Sequence, residues 1–280
     1  YEHRPHAGQV FAAMLNQRTD PCYRKIRELV RGGQLGELYR VEWTITDWFR
    51  TDAYYAASDW RATWAGEGGG VLLNQATHNL DLFQWMFGLP VRVRAVCGFG
   101  RYHPIEVEDD VTALVEFANG ASGVFVTSTG EAPGTNRLEV VGDRGRLVCE
   151  PGRLRFTQTA VSTSAFRRQS EKQYAQPPLA EQVFEFADRG GQHVAILENF
   201  VAAIRHGAPL IAPAGEGLAA VELANAILWS AWQNAPVALP LDAAGYAQQL
   251  QHRIATSQCK KTTRPRLPGA EIAPYLVQEK

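Results

Sequence analysis

The sequence predicts an α+β fold: a large, open, mainly antiparallel sheet with helices packed on one face. Short alternating strands follow one another closely between Val91 and Gln158, with hairpin turns between them. Helical periodicity appears only outside that block, before Pro90 and after Gln192, and no internal repeat is visible. The 280 residues are 45% hydrophobic and 20% charged, enough for a packed core in one large or two modest domains.

The opening YEHRPHAGQ is irregular. VFAAML (Val10–Leu15) then reads as a short buried strand, which needs neighbours on both sides that the residues before it do not supply. Pro21–Arg31 is expected to be a helix, with Asp20 as N-cap and Pro21 at the first helical position. GGQLG (Gly32–Gly36) ends it, and Tyr39–Asp47 alternates as a strand. Thr51–Ala65 is polar and aromatic and reads as an ordered loop.

GEGGGVLLNQATHNLDLFQWMFG (Gly66–Gly88) follows, with four glycines ahead of a long amphipathic run. The period predicts a helix from Val71 until Gly88 and Pro90 stop it. On that helix Asn74, His78, Asp81 and Trp85 would share a sector of about 60°, and the rest of the girth would be apolar. A polar stripe on a mostly buried helix faces water, a partner or a cleft. The glycines would let a backbone or a ligand approach the positive end of the helix dipole.

Six or seven strands make up the next block: Val91–Phe99, Val111–Phe117, Ser122–Thr129, Leu138–Val141, Arg146–Cys149 and Arg153–Gln158, with Asn119-Gly120 and GDRG as hairpin turns. Residues 159–190 are polar and read as a long excursion. Helices return at Gln192–His206, Glu216–Asn234 and Gly245–Ile254, and Lys260–Lys280 reads as a basic tail. No helix is left over for the second face of the sheet, so copies of the chain are expected to pair through it as a dimer or tetramer.

Composition narrows the function. The net charge of −1 argues against a nucleic-acid partner, which needs a basic stripe. No apolar run reaches the length of a membrane span and no signal peptide is visible, so the protein is expected in the cytoplasm. Cys22, Cys97, Cys149 and Cys259 lie far apart along the chain and read as reduced, mostly buried thiols. RYHPIEVEDD (Arg101–Asp110) gathers His103, Glu106, Glu108, Asp109 and Asp110, but alternation sends them to both faces of a strand, and no metal is expected there. No nucleophile motif of the Gly-x-Ser-x-Gly kind appears.

Several segments together carry a resemblance: NQR (Asn16–Arg18), GGQLGEL, Trp60-Arg61, GGG followed by N-Q-x-x-H-x-x-D and W-x-x-G, ENFVAAIRHGAPL (Glu198–Leu210) and EGLAAVELANAILWSA (Glu216–Ala231). In this order they resemble the glucose-fructose oxidoreductase / inositol dehydrogenase / rhizopine-catabolism (Gfo/Idh/MocA) oxidoreductase family, from about Val10 to Ile254. The resemblance implies two domains, an N-terminal Rossmann fold for NAD or NADP and a C-terminal α+β domain whose open sheet makes oligomer contacts. This sequence resembles only the second. Residues 1–17 would be a remnant of the last Rossmann strand region, 18–255 the substrate and oligomerisation domain, and 256–280 a tail. The dinucleotide fingerprint G-x-G-x-x-G is absent, as is the family's Glu-Lys-Pro segment, so a truncated or partial oxidoreductase is expected.

The implied reaction moves a hydride between nicotinamide C4 and a sugar or polyol carbon while a base takes the hydroxyl proton. By position His78 matches the family's acid/base. Asn74 stands where the family usually has Asp; an amide orients a hydroxyl but cannot take its proton. Asp81 would either orient His78 or serve as a cap or ion-pair partner. Trp60 and Arg61 match a pair near the nicotinamide or substrate, and Arg18 and Gln75 are expected toward the same cleft. The competing expectation is a non-catalytic carbohydrate-binding or oligomerisation module. The sugar and the choice of NAD or NADP are not readable here.

Overall fold

A computed structural model describes residues 8–257. The basic tail after Ser257, Cys259 within it, and the first seven residues lie outside the described residues.

The first helix, α1 (Pro21–Arg31), forms where the sequence signals it: the Asp20 carboxylate accepts from the Cys22 N–H and Pro21 occupies the first turn. Strand β1 (Leu38–Ile45) follows, then a single turn of helix, α2 (Asp52–Tyr55), inside the expected loop. Helix α3 (Thr77–Phe87) begins six residues later than the apolar period suggests. Residues 71–76 instead form consecutive turns, because the backbone there is committed elsewhere: Val71 N–H donates to the Glu108 carbonyl, and the Gly70 and Leu72 N–H groups donate to the Glu108 carboxylate.

The strands β2 (Arg92–Phe99), β3 (Glu108–Glu116), β4 (Ser122–Ser128), β5 (Asn136–Gly142), β6 (Gly145–Glu150) and β7 (Arg153–Thr159) match the expected block. The polar stretch 159–190 is not a bare excursion. It carries a short helix, α4 (Thr163–Gln169), and a further strand, β8 (Leu179–Glu185), that is almost wholly exposed on the sheet edge, which is why no hydrophobic alternation announces it. Helices α5 (Gln192–His206) and α6 (Gly217–Gln233), the two-residue strand β9 (Val237–Ala238) and α7 (Ala243–Thr256) complete the described residues.

The nine strands form one sheet in the order β8-β7-β6-β5-β1-β4-β3-β2-β9. The expected meander is interrupted once: β1 inserts between β5 and β4 and runs parallel to β4. Register places Ala95, Ala113, Phe125, Trp43, Leu138, Cys149 and Leu154 in one row across the sheet. All of these are buried, under α1, α3 and α6, and burying an aromatic such as Phe125 is worth about 2–3 kcal/mol. The opposite face alternates out to solvent: Val96 is 71% and Leu114 54% exposed, among Arg94, Glu42 and Glu139. The α+β class, with a large open sheet covered on one side, is therefore what the chain adopts.

Val10–Leu15 does not form the buried strand that its composition suggests. Only Ala12 makes a bridge, to Pro213, and Phe11 and Met14 are exposed, leaving Leu15 as the one buried residue of the six.

Candidate active site

Two polar clusters flank the start of α3. The first is built on the loop before it. The Tyr54 hydroxyl, carried by α2, is the hub: it donates to Asn74 Oδ1 (3.3 Å) and accepts from Arg61 Nη1 (2.6 Å) and Gln75 Nε2 (3.1 Å). Glu67 closes the ring, accepting from Asn74 Nδ2 and from the Ala62 N–H (2.6 Å). The Arg61 guanidinium lies over the rings of Tyr54 (4.5 Å) and Trp60 (4.8 Å), and Trp60 is 47% exposed. Of the residues singled out in the sequence, Trp60, Arg61, Asn74 and Gln75 thus come together. Tyr54 and Glu67 were missed, although Glu67 is the lone carboxylate inside the glycine run and was visible as such.

Gly66 and Gly70 do not open the loop to a ligand. A Cβ at Gly66 would lie 2.2 Å from the Trp60 carbonyl oxygen, and one at Gly70 2.0 Å from that of Glu108. Both positions are glycine because backbone packs on backbone there. The expected approach to a helix N-terminus is corrected accordingly: α3 starts at Thr77, and the amides at Gly70, Val71 and Leu72 are already spent on Glu108.

His78 sits in the first turn of α3, half-buried, with Nδ1 shielded from solvent and lacking a hydrogen-bond partner. Burial lowers its pKa below the usual histidine range; the Asp81 charge opposes that shift and His193, at the start of α5, adds to it. The ring is therefore held neutral near pH 7, the form that takes a proton.

The second cluster centres on a buried, saturated arginine. Arg18 Nε and Nη2 donate to Asp81 Oδ2 (2.8 Å) and Oδ1 (2.7 Å), and Nη1 donates to Glu216 and to the Ile211 carbonyl (3.3 Å). Gln84 donates to Asp81 as well (3.0 Å), and the Trp85 ring stacks near Arg18 (5.4 Å) and Arg27 (4.4 Å). Arg18 is 1% exposed, so its guanidinium is placed in the interior, not toward an open cleft. Asp81 is engaged by Arg18 and acts on His78 only through space. Of the two roles left open for it in the sequence, the structure shows the ion pair.

The Arg101–Asp110 segment spends its polar groups on local structure. Asp109 accepts from the N–H groups of Arg101, Tyr102 and His103 and contacts His103 Nδ1, Glu106 accepts from the Trp64 N–H, and Glu108 holds the glycine loop. Glu108 is fully buried, and desolvation lifts its pKa to about 7. Among the described residues no group of three or more His, Cys, Asp or Glu side chains converges on one point, and no helix is long and apolar enough to cross a membrane.

The open nine-stranded sheet, covered by helices on one face, defines the class: an α+β domain. Residues 23–148 match the family model described as GFO/IDH/MocA C-terminal domain. Over 217 residues the chain is 30% identical to the rhizopine catabolism protein MocA of Rhizobium meliloti, a match covering 75% of this chain and 56% of that protein. It is 24% identical over 235 residues to the inositol 2-dehydrogenase of Rhizobium meliloti (strain 1021), covering 80% of this chain and 63% of that one. Among solved structures, the WlbA dehydrogenase from Bordetella pertussis, in complex with NADH and UDP-GlcNAcA, shares the fold with a TM-score of 0.65 at 24% identity, covering 84% of this chain and 64% of that one. Residues 23–148 carry the C-terminal domain of the Gfo/Idh/MocA family, and the chain spans less than two thirds of the length of these relatives.

Proposed function

We propose that this chain is the substrate-holding part of an NAD(P)-dependent oxidoreductase that acts on a sugar, polyol or related carbohydrate at a hydroxyl/carbonyl carbon. The observation that carries this reading is His78: a half-buried imidazole, lowered in pKa, with an unpartnered Nδ1, next in the chain to a ring of hydrogen-bonding side chains. The relatives named as inositol 2-dehydrogenase and MocA support the carbohydrate class.

A nicotinamide supplies the hydride acceptor when it is bound. The described residues do not fit its diphosphate: the glycine-run amides are spent on Glu108, and no G-x-G-x-x-G segment precedes a helix. The dinucleotide site is therefore assigned to a separate unit, in the same or another polypeptide. The exposed apolar side of α5 suits its docking: Val194, Leu197, Val201 and Ile204 are each at least 47% exposed. His193 on the same helix lies within electrostatic reach of His78. Copies of the chain are proposed to pair through the uncovered sheet face around Val96 and Leu114.

In this reading Asn74 and Gln75, aligned by Tyr54 and Glu67, hold the substrate hydroxyls. Trp60 offers an exposed ring for a sugar face, with Arg61 beside it, and His78 takes the proton of the reacting hydroxyl. The test is turnover of polyols and aldoses with NAD or NADP, with the chain supplied alongside a dinucleotide-binding unit. His78→Ala is expected to lower kcat at least about 100-fold with the fold intact. Unchanged turnover would remove His78 from the reaction and leave a carbohydrate-binding or assembly module.

A further inference from the structure

Cys22 and Cys149 are separated by 127 positions in the sequence, yet their sulfurs lie 3.2 Å apart in the interior. Cys22 is the second residue of α1, and Cys149 is on β6, in the row of side chains that faces the helices. They are 7% and 8% exposed. Cys149 Sγ donates to the Glu150 carbonyl (3.8 Å), which leaves Cys22 as donor between the two thiols. A disulfide needs the sulfurs to close by only about 1.2 Å from here. Cys97, the third described cysteine, has no such neighbour, so the pair is specific.

We propose that Cys22 and Cys149 are a reversible oxidation site, closed to a disulfide by a peroxide, that staples α1 to the outer half of the sheet. The balance is simple. One thiol loses its proton, its sulfur attacks a peroxide oxygen, the O–O bond breaks, and a sulfenic acid and water result. The second thiol attacks that sulfur, the S–O bond breaks, and a second water leaves. Two thiols and one peroxide become one disulfide and two waters. A dithiol reverses the step by thiol–disulfide exchange. A small oxidant is required because the site is closed, with Cys22 and Cys149 only 7% and 8% exposed. The link would close a 127-residue separation, so its entropic effect on the unfolded chain is large. α1 follows directly on the Arg18 turn and packs on α3, so the staple also fixes the helix that backs the candidate site.

The experiment treats the folded chain with a small excess of hydrogen peroxide, blocks free thiols with N-ethylmaleimide in denaturant, and maps peptides by mass spectrometry under non-reducing conditions. The expected result is a Cys22–Cys149 linked peptide that dithiothreitol removes, with Cys97 alkylated. The melting temperature should rise by roughly 5–10 °C on oxidation and fall back on reduction. Cys22→Ser and Cys149→Ala should each abolish both the link and the shift. The wild-type peptide map decides the question even where a variant fails to fold. Full alkylation of Cys22 and Cys149 at a peroxide dose that oxidises Cys97 would overturn the proposal. So would a link that appears only when the chain is unfolded during treatment.

Discussion

The Arg18–Asp81–Glu216 cluster is anchored on α3 and the Tyr54–Asn74–Glu67 ring on the segment before it, and both draw on residues that the sequence singles out for a site. They differ in exposure. In the first, the arginine fork and the aspartate are buried and engaged bidentately, with a second carboxylate and a carbonyl occupying the remaining Arg18 nitrogen. In the second, a half-exposed Trp60 rims a set of amide and hydroxyl groups that hold each other in place, with a neutral histidine a turn away. Charged residues of the same kinds therefore do opposite work. The buried pair fixes the entry of α1 and the position of α3, and the ring rimmed by Trp60 is the one proposed for a hydroxylated ligand.

The largest effect expected from this contrast is at Arg18. Arg18→Ala strands Asp81 in the interior and should cost about 3–5 kcal/mol in urea unfolding. Removing both charges together, as Arg18→Met with Asp81→Leu, should recover much of that loss. If the single variant were near neutral, the ion pair would not be the structural half of the comparison.

Glu108 comes next. Its folded pKa of about 7 lies above the ordinary unfolded value, so its contribution to stability is fully present below about pH 4.3 and is lost as pH rises through about 7. Glu108→Gln keeps an acceptor for the Gly70 and Leu72 amides and should gain roughly 1–3 kcal/mol at pH 8, flattening the pH dependence of the denaturation midpoint between pH 5 and 8. A midpoint that instead rose with pH in the wild type would reverse the sign of this assignment.

Tyr54→Phe should cost only about 1 kcal/mol of stability and weaken carbohydrate binding about tenfold, because Asn74, Gln75 and Arg61 lose their common partner. Isothermal titration against a panel of polyols separates the two effects. The smallest effect is at His78, whose ring carbons should titrate below the ordinary histidine range in NMR. His193→Ala should raise that value by less than about one unit, because a neighbouring like charge is removed.

The sequence made much of this legible where local chemistry and tertiary structure agree. Asp20-Pro21 caps α1, and the alternation of β2 to β7 gives the buried row from Ala95 to Leu154. It misled where a distant group decides. The apolar period from Val71 is real, yet Glu108, 38 positions from Gly70, takes the amides a first helical turn needs, and α3 begins at Thr77. Strand β8 carries no periodic signal because nothing covers it. Val10–Leu15 is apolar without being a strand, since a single bridge to Pro213 holds it. Trp60, Arg61, Asn74 and Gln75, singled out from motif order, lie together, but their hub Tyr54 was not legible: an aromatic residue in a loop gives no hint that its hydroxyl is shared three ways. Arg18 and Asp81 looked like site residues because sequence cannot show that they bind each other.

The most direct test of the contrast is a ligand titration of the isotope-labelled chain by NMR, with myo-inositol and a series of aldoses. The account predicts saturable shifts at the side chains of Arg61, Asn74, Gln75 and His78, and silence at Arg18 and Gln84. Shifts centred on Arg18, or none at the Tyr54 ring with any carbohydrate, would contradict it.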